Sequence, residues 1–136
     1  MRGLMVEYTG VLDGSDEDQR RWRQLLIAAR AHGVGTVVLS NEEDPEKVRA
    51  MQALHADGVV DAVVLAKDTG VAKPEPESFQ FAADVVELDR RDCVLVDSEI
   101  LNVRAAVDCG LVGVYYQQFD RAAVEIMGLF GLEGEF

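Results

Sequence analysis

The stretch Gly35-Thr36-Val37-Val38-Leu39-Ser40 is apolar without alternation. A strand with one face in water alternates apolar and polar side chains, so an unbroken run means cover on both faces, the condition of a parallel sheet held between helix layers. Similar runs open the chain at Gly3-Leu4-Met5-Val6 and return at Val59 to Ala66, Cys93-Val94-Leu95-Val96-Asp97 and Gly113-Val114-Tyr115-Tyr116-Gln117. Between and after them come segments with the 3.6-residue period of helices that bury one side. Their apolar stripes are Trp22, Leu25, Leu26 and Ala29; Val48, Met51 and Leu54; Phe79, Ala82, Ala83 and Val86; Val103, Ala106 and Val107; and Ala123, Ile126, Met127 and Phe130. Five strands alternating with five helices predict a three-layer α/β/α sandwich around a Rossmann-like five-stranded parallel sheet, with right-handed crossovers, in a single domain over residues 1–136.

Local signals set the boundaries. Ser15 with Asp18, Asp44 before Pro45, Ser98 and Asp120 read as helix N-caps. Pro74 and Pro76 delay a helix to about Glu77, and Gly33, Gly58 and Gly110 end helices. The tail from Gly131 to Phe136 is expected to fray.

With 49% hydrophobic and 28% charged residues in 136, this is the composition of a soluble globular domain. The net charge of −12 opposes nucleic-acid binding, and the basic run Arg20-Arg21-Trp22-Arg23 directly follows Asp16-Glu17-Asp18. No apolar run reaches membrane-spanning length and Met1-Arg2-Gly3 carries no signal-peptide pattern, so a cytoplasmic location is expected. Cys93 and Cys109 are spaced for neither zinc nor a redox pair and read as small buried apolar side chains.

Open parallel sheets bind ligands beyond the carboxyl ends of their strands. Polar residues gather there from four segments: Glu7 and Thr9, then Ser40 and Asn41, then Lys73, then Asp97, Ser98 and Glu99. Gly10 allows a sharp turn just past the first of these tips. Tyr8, Tyr115, Tyr116 and Phe119 fall near the same edge, where they serve either a contact surface or the core.

This ordered set resembles the haloacid dehalogenase superfamily of phosphohydrolases over nearly the whole chain. Leu4 to Leu12 is similar to its first motif, hydrophobic residues followed by Asp-x-Asp-Gly-Val-Leu, of which Gly10, Val11 and Leu12 are present. Val37-Val38-Leu39-Ser40-Asn41 resembles the second, whose hydroxyl binds the transferring phosphoryl group. Gly70-Val71-Ala72-Lys73-Pro74-Glu75-Pro76 resembles the third, whose lysine neutralises nucleophile and phosphate. Val94 to Ser98, with Asn102, Ala105, Ala106 and Gly110, resembles the fourth, where paired acids hold magnesium.

The departures fall on the chemistry that the resemblance implies. Glu7 stands where an aspartate attacks phosphorus, and its extra methylene displaces the carboxylate by roughly 1 Å, a misplacement able to cost about a hundredfold. Thr9 stands in place of the aspartate that protonates the leaving group, although it matches the threonine beside the phosphorylated aspartate of the transport ATPases. Ser98 replaces the second acid of the fourth motif. The resemblance therefore assigns Glu7, Thr9 and Lys73 to the catalytic positions, Ser40, Asn41 and Lys73 to phosphate binding, and Glu7, Asp97 and Glu99 to a weak magnesium site.

The reading that follows is a member with little or no phosphatase activity, acting as a phosphate- or anion-binding or regulatory module. The alternatives are an active magnesium-dependent phosphohydrolase with Glu7 as nucleophile and an assembly or scaffold domain. Val11 to Ser15 and Asp68 to Ala72 are too short to carry the helical cap of many relatives. Capless relatives act on large substrates or borrow cover from a neighbouring subunit, which implies a phosphorylated small ligand, a macromolecular partner or a homo-oligomer.

Overall fold

In a computed structural model describing Met1–Phe136, the apolar runs become β1 (Gly3–Val6), β2 (Gly35–Ser40), β3 (Ala62–Leu65), β4 (Cys93–Asp97) and β5 (Val112–Tyr115). They form one all-parallel sheet in the order β3-β2-β1-β4-β5. The chain moves outward on one side of β1 and then crosses to the other, so the strand order reverses between β1 and β4. A crevice opens at that switch point.

Helices α1 (Asp16–Ala31), α2 (Pro45–Ala56), α4 (Pro76–Val85), α5 (Ile100–Asp108) and α6 (Phe119–Phe130) follow the predicted stripes, and α3 (Ala66–Thr69) is one further short turn. Successive strand residues point to opposite faces. Leu4, Val6, Val38, Val94, Val96 and Val114 accordingly join Trp22, Leu25, Leu26, Ile126 and Phe130 in one buried cluster. Met5, Val37, Leu39 and Leu95 pack on the other face against Phe79, Ala82, Ala83 and Ala106. Trp22 anchors the larger cluster, meeting Phe119 edge-on at 5.2 Å between ring centroids. Where α5 lies on β5, a side chain at Gly113 would stand 2.7 Å from Val103 Cγ1, so the absence of a Cβ sets that close approach.

Several boundaries differ from expectation, each for a contact distant in sequence. Val59 and Val60 are buried in the larger cluster, but the chain bends there instead of extending β3. There the Asp61 carboxylate accepts from the Thr36 amide at 2.8 Å and from Arg30 Nε at 2.6 Å. β5 ends at Tyr115, before the expected Gln117. Ser98 does not cap α5: Glu99 holds the cap position, and its amide donates to Asp97 Oδ1. Asp120 does not cap α6, which starts one residue earlier, because its carboxylate pairs with Arg21. Val107, expected to face inward, is 53% exposed. The tail is docked, with Leu132 buried and Arg21 Nε donating to the Phe136 carbonyl at 2.9 Å.

Burial pushes the Asp61 carboxyl up, but the Thr36 amide and the Arg30 guanidinium together hold it below its ordinary value. A carboxyl depressed on folding stabilises the fold above its unfolded pKa, and that contribution disappears as pH falls through the folded value. Asp61→Asn is therefore expected to lower stability at neutral pH, with the gap to the native protein narrowing below about pH 4. Urea denaturation across this range measures it; a constant gap would contradict the linkage.

The Cys93 thiol is buried beside Asp92 and Asp89 and pushed up to about 11, so it stays protonated and unreactive at neutral pH.

Candidate functional site

β1 lies between β2 and β4 with Val6 paired to both Val38 and Val96. The Glu7 amide extends the ladder by one bond, to the Val96 carbonyl at 3.0 Å. Glu7 thus leaves the sheet beside Asp97, the last residue of β4. The chain then turns through Tyr8–Leu12, where Gly10 has φ +81°. A Cβ there would stand 2.5 Å from Ser98 Oγ, so a glycine satisfies both the backbone conformation and the close packing of the two tips.

Lys73 enters from the loop between α3 and α4. Its backbone is clasped by Asn41, whose amide group donates to the Lys73 carbonyl and accepts from the Lys73 N–H, both at 2.9 Å. The ammonium is fully enclosed and directs its three protons to Asp97 Oδ2 at 2.7 Å, the Leu39 carbonyl at 2.7 Å and Glu7 Oε1 at 3.2 Å. Asn102 Nδ2 also donates to Asp97 Oδ2, at 3.2 Å, and Glu7 Oε2 accepts from the Tyr8 amide at 2.6 Å. Around this cluster lies an open cleft of about 440 Å³, lined also by Thr9, Gly10, Asn41, Ser98, Glu99 and Leu101. Two carboxylates, Glu7 and Asp97, meet the one ammonium, and Glu99 adds a third acid to the cleft wall.

The predicted residues divide by position. Glu7, Lys73 and Asp97 meet in one bonded cluster, with Thr9, Asn41 and Glu99 on the cleft wall. Ser40 is fully buried outside that lining, and its hydroxyl accepts the Glu42 amide at 3.1 Å. Thr9 donates its hydroxyl to Glu42 Oε1 at 2.7 Å. Glu42 also meets Lys47 at 3.5 Å, and Lys47 meets Asp13, which accepts the Gly10 amide at 2.8 Å. The Thr9 hydroxyl, and then the Asp44 and Glu43 amides, hold the Glu42 carboxyl below its ordinary value. Glu42, Asp13 and Lys47 were not anticipated as part of this edge. The signal available was an acid directly after Ser40-Asn41, but its partner lies 33 residues away in sequence.

Of the expected metal set, Glu7 and Asp97 meet at Lys73 and Glu99 lies on the wall of the same cleft. No three His, Cys, Asp or Glu side chains converge closely enough to hold an ion. Magnesium requires tight octahedral oxygen coordination, and here Lys73 lies between Glu7 and Asp97 while Ser98 adds no charge. Magnesium is usually held by one or two carboxylates with water and phosphate oxygens completing the shell, and Glu7 and Asp97 are the residues that would hold it here. Of the aromatic residues near this edge, Tyr116 and Phe119 are core, Tyr8 is half-buried, and Tyr115 is 46% exposed.

The family model described as haloacid dehalogenase-like hydrolase matches residues 4–110. An uncharacterised protein from Corynebacterium glutamicum is 65% identical over 100% of this chain and 99% of its own, with a TM-score of 0.96. A haloacid dehalogenase family enzyme from Bacteroides thetaiotaomicron, crystallised with magnesium and inorganic phosphate, shares the fold at a TM-score of 0.65 and 15% identity, over 86% of this chain and 94% of its own. A hydrolase of the same superfamily from Ehrlichia chaffeensis has a TM-score of 0.61 at 18% identity, over 78% of this chain and 56% of its own. At these identities the last two bear on fold alone.

Proposed function

The chain belongs to the haloacid dehalogenase-like hydrolase family, and from that premise we propose that it has little or no phosphatase activity and serves as a binding or regulatory module. The observation that carries this reading is the Lys73 ammonium enclosed between Glu7 and Asp97, with every proton engaged inside the protein. A lysine that neutralises an incoming phosphoryl group must offer it a proton, and here an arriving group has to break an existing bond first.

The residues at the other reacting positions support the same view. Thr9 is a poor proton donor to a leaving group and is already directed at Glu42. Glu7 presents its carboxylate one methylene further out than an aspartate would. With Ser98 neutral, the cleft offers magnesium one carboxylate fewer than the resemblance implies, although a structural relative was crystallised with that ion. The cleft is open to water, and Leu101, 61% exposed on its wall, offers apolar surface to a partner. A macromolecular partner or a second copy covering the tips fits this exposure better than an enclosed small substrate. No helix is long and apolar enough to cross a membrane.

The second reading, a working phosphohydrolase with Glu7 as nucleophile, draws on the convergence of Glu7, Lys73 and Asp97 in one cleft. An aryl phosphate assay with magnesium separates the two. Native protein and Glu7→Ala are both expected to give the rate of buffer alone; native turnover that disappears in Glu7→Ala would overturn the proposal.

A further inference from the structure

The cleft already contains an anion, and it is tethered to the chain. An oxyanion is recognised by a cationic donor acting with backbone N–H groups. Glu7 supplies the oxyanion for both: Oε1 takes the Lys73 ammonium at 3.2 Å and Oε2 takes the Tyr8 amide at 2.6 Å. Neighbouring amides at the same edge are filled in the same manner, Gly10 by Asp13 and Glu99 by Asp97. A carboxylate on residue 7 reaches back to the amide of residue 8 through the length of its own side chain, and the side chain of an aspartate is one methylene shorter.

From this geometry, and resting on the reading of the cleft as non-hydrolysing, we infer that Glu7 is an intramolecular plug that sets what the cleft admits. Its carboxylate occupies the oxyanion donors, so the native protein rejects inorganic phosphate, and removing or shortening it converts the cleft into an oxyanion site. Two features keep the plug in place. It competes at the high effective concentration of a tethered group, and a free phosphate that displaced it would enter beside Asp97 and Glu99 as well as the expelled Glu7 carboxylate. The ligands left to the native cleft are uncharged or cationic at the contact point.

Calorimetric titration of inorganic phosphate into native protein, Glu7→Ala, Glu7→Asp and Glu7→Ala/Lys73→Met tests this, with the fold of each variant checked by its melting transition. Native protein is expected to give no saturable heat. Glu7→Ala is expected to bind at least about tenfold more tightly, and the added Lys73→Met substitution to abolish that gain. If Glu7→Ala does not fold, Glu7→Asp carries the comparison. Native binding equal to that of the folded position-7 variants, or no gain in any of them, would overturn the inference. Aryl phosphate turnover by the native protein is a separate result, which removes the non-hydrolysing reading instead.

Discussion

Replacing Glu7, Thr9 and Ser98 together with aspartate is expected to create a phosphohydrolase, raising aryl phosphate hydrolysis in magnesium buffer at least about a hundredfold over the native protein. Each substitution acts on a different obstacle. Glu7→Asp draws the carboxylate back from the Tyr8 amide and loosens its hold on Lys73. Thr9→Asp places an acid beside Glu42, which now accepts the Thr9 hydroxyl at 2.7 Å. Two carboxyls that close do not both ionise readily, so one keeps its proton to higher pH and becomes a competent donor to a leaving oxygen. Ser98→Asp adds a carboxylate next to Gly10, where a Cβ would stand 2.5 Å from the present Ser98 Oγ. Groups of this kind act as a unit, so single substitutions are expected to give little of the combined gain. A triple variant that melts like the native protein and still shows only the buffer rate would mean that the cleft has lost more than these three groups.

The expectation behind that experiment was legible in the sequence because strand tips can be located from short-range pattern. The runs Gly35–Ser40 and Cys93–Asp97 are continuous, β-branched and sharply bounded, and both strands end where expected. Glu7, Lys73 and Asp97 could therefore be assigned to one edge, and the structure bonds them to one another. What short-range pattern could not reveal was which donors were already taken. Whether Lys73 is free or enclosed depends on Leu39 and Asp97, and whether the Thr9 hydroxyl is free depends on Glu42, all far away in sequence. The same limit explains the errors at element ends. Asp120 has the composition of a cap but serves Arg21, 99 residues distant, and the tail predicted to fray is held by that same arginine. Val59 and Val60 have strand composition, yet Asp61 must meet both Thr36 and Arg30, and this bends the chain before β3.

Lys73→Met is expected to destabilise the fold by roughly 3–5 kcal/mol, the cost of leaving buried charge without its partner, and to lower the melting temperature by about 10–20 °C. The lysine side chain is fully enclosed, and the side chains it pairs with are only 10% exposed at Glu7 and 2% at Asp97. Its removal leaves two carboxylates facing each other and the Leu39 carbonyl without that donor, with only the Tyr8 and Glu99 amides and Asn102 still compensating. An ion pair at the surface behaves differently. Arg23 and Asp57 are 3.3 Å apart, close to the 3.2 Å between Lys73 and Glu7, but both are about half exposed, and breaking that pair is expected to cost less than about 1 kcal/mol. Neutralising the acids as well, in Lys73→Met/Glu7→Gln/Asp97→Asn, is expected to recover much of the loss, because a buried ion cluster contributes little net stability over a neutral replacement of similar volume. Chemical denaturation of the single and triple variants separates the two effects. A Lys73→Met loss no larger than that of the surface pair would show that water enters to solvate the carboxylates, and the cluster would then not be the enclosed charge arrangement on which the plug depends.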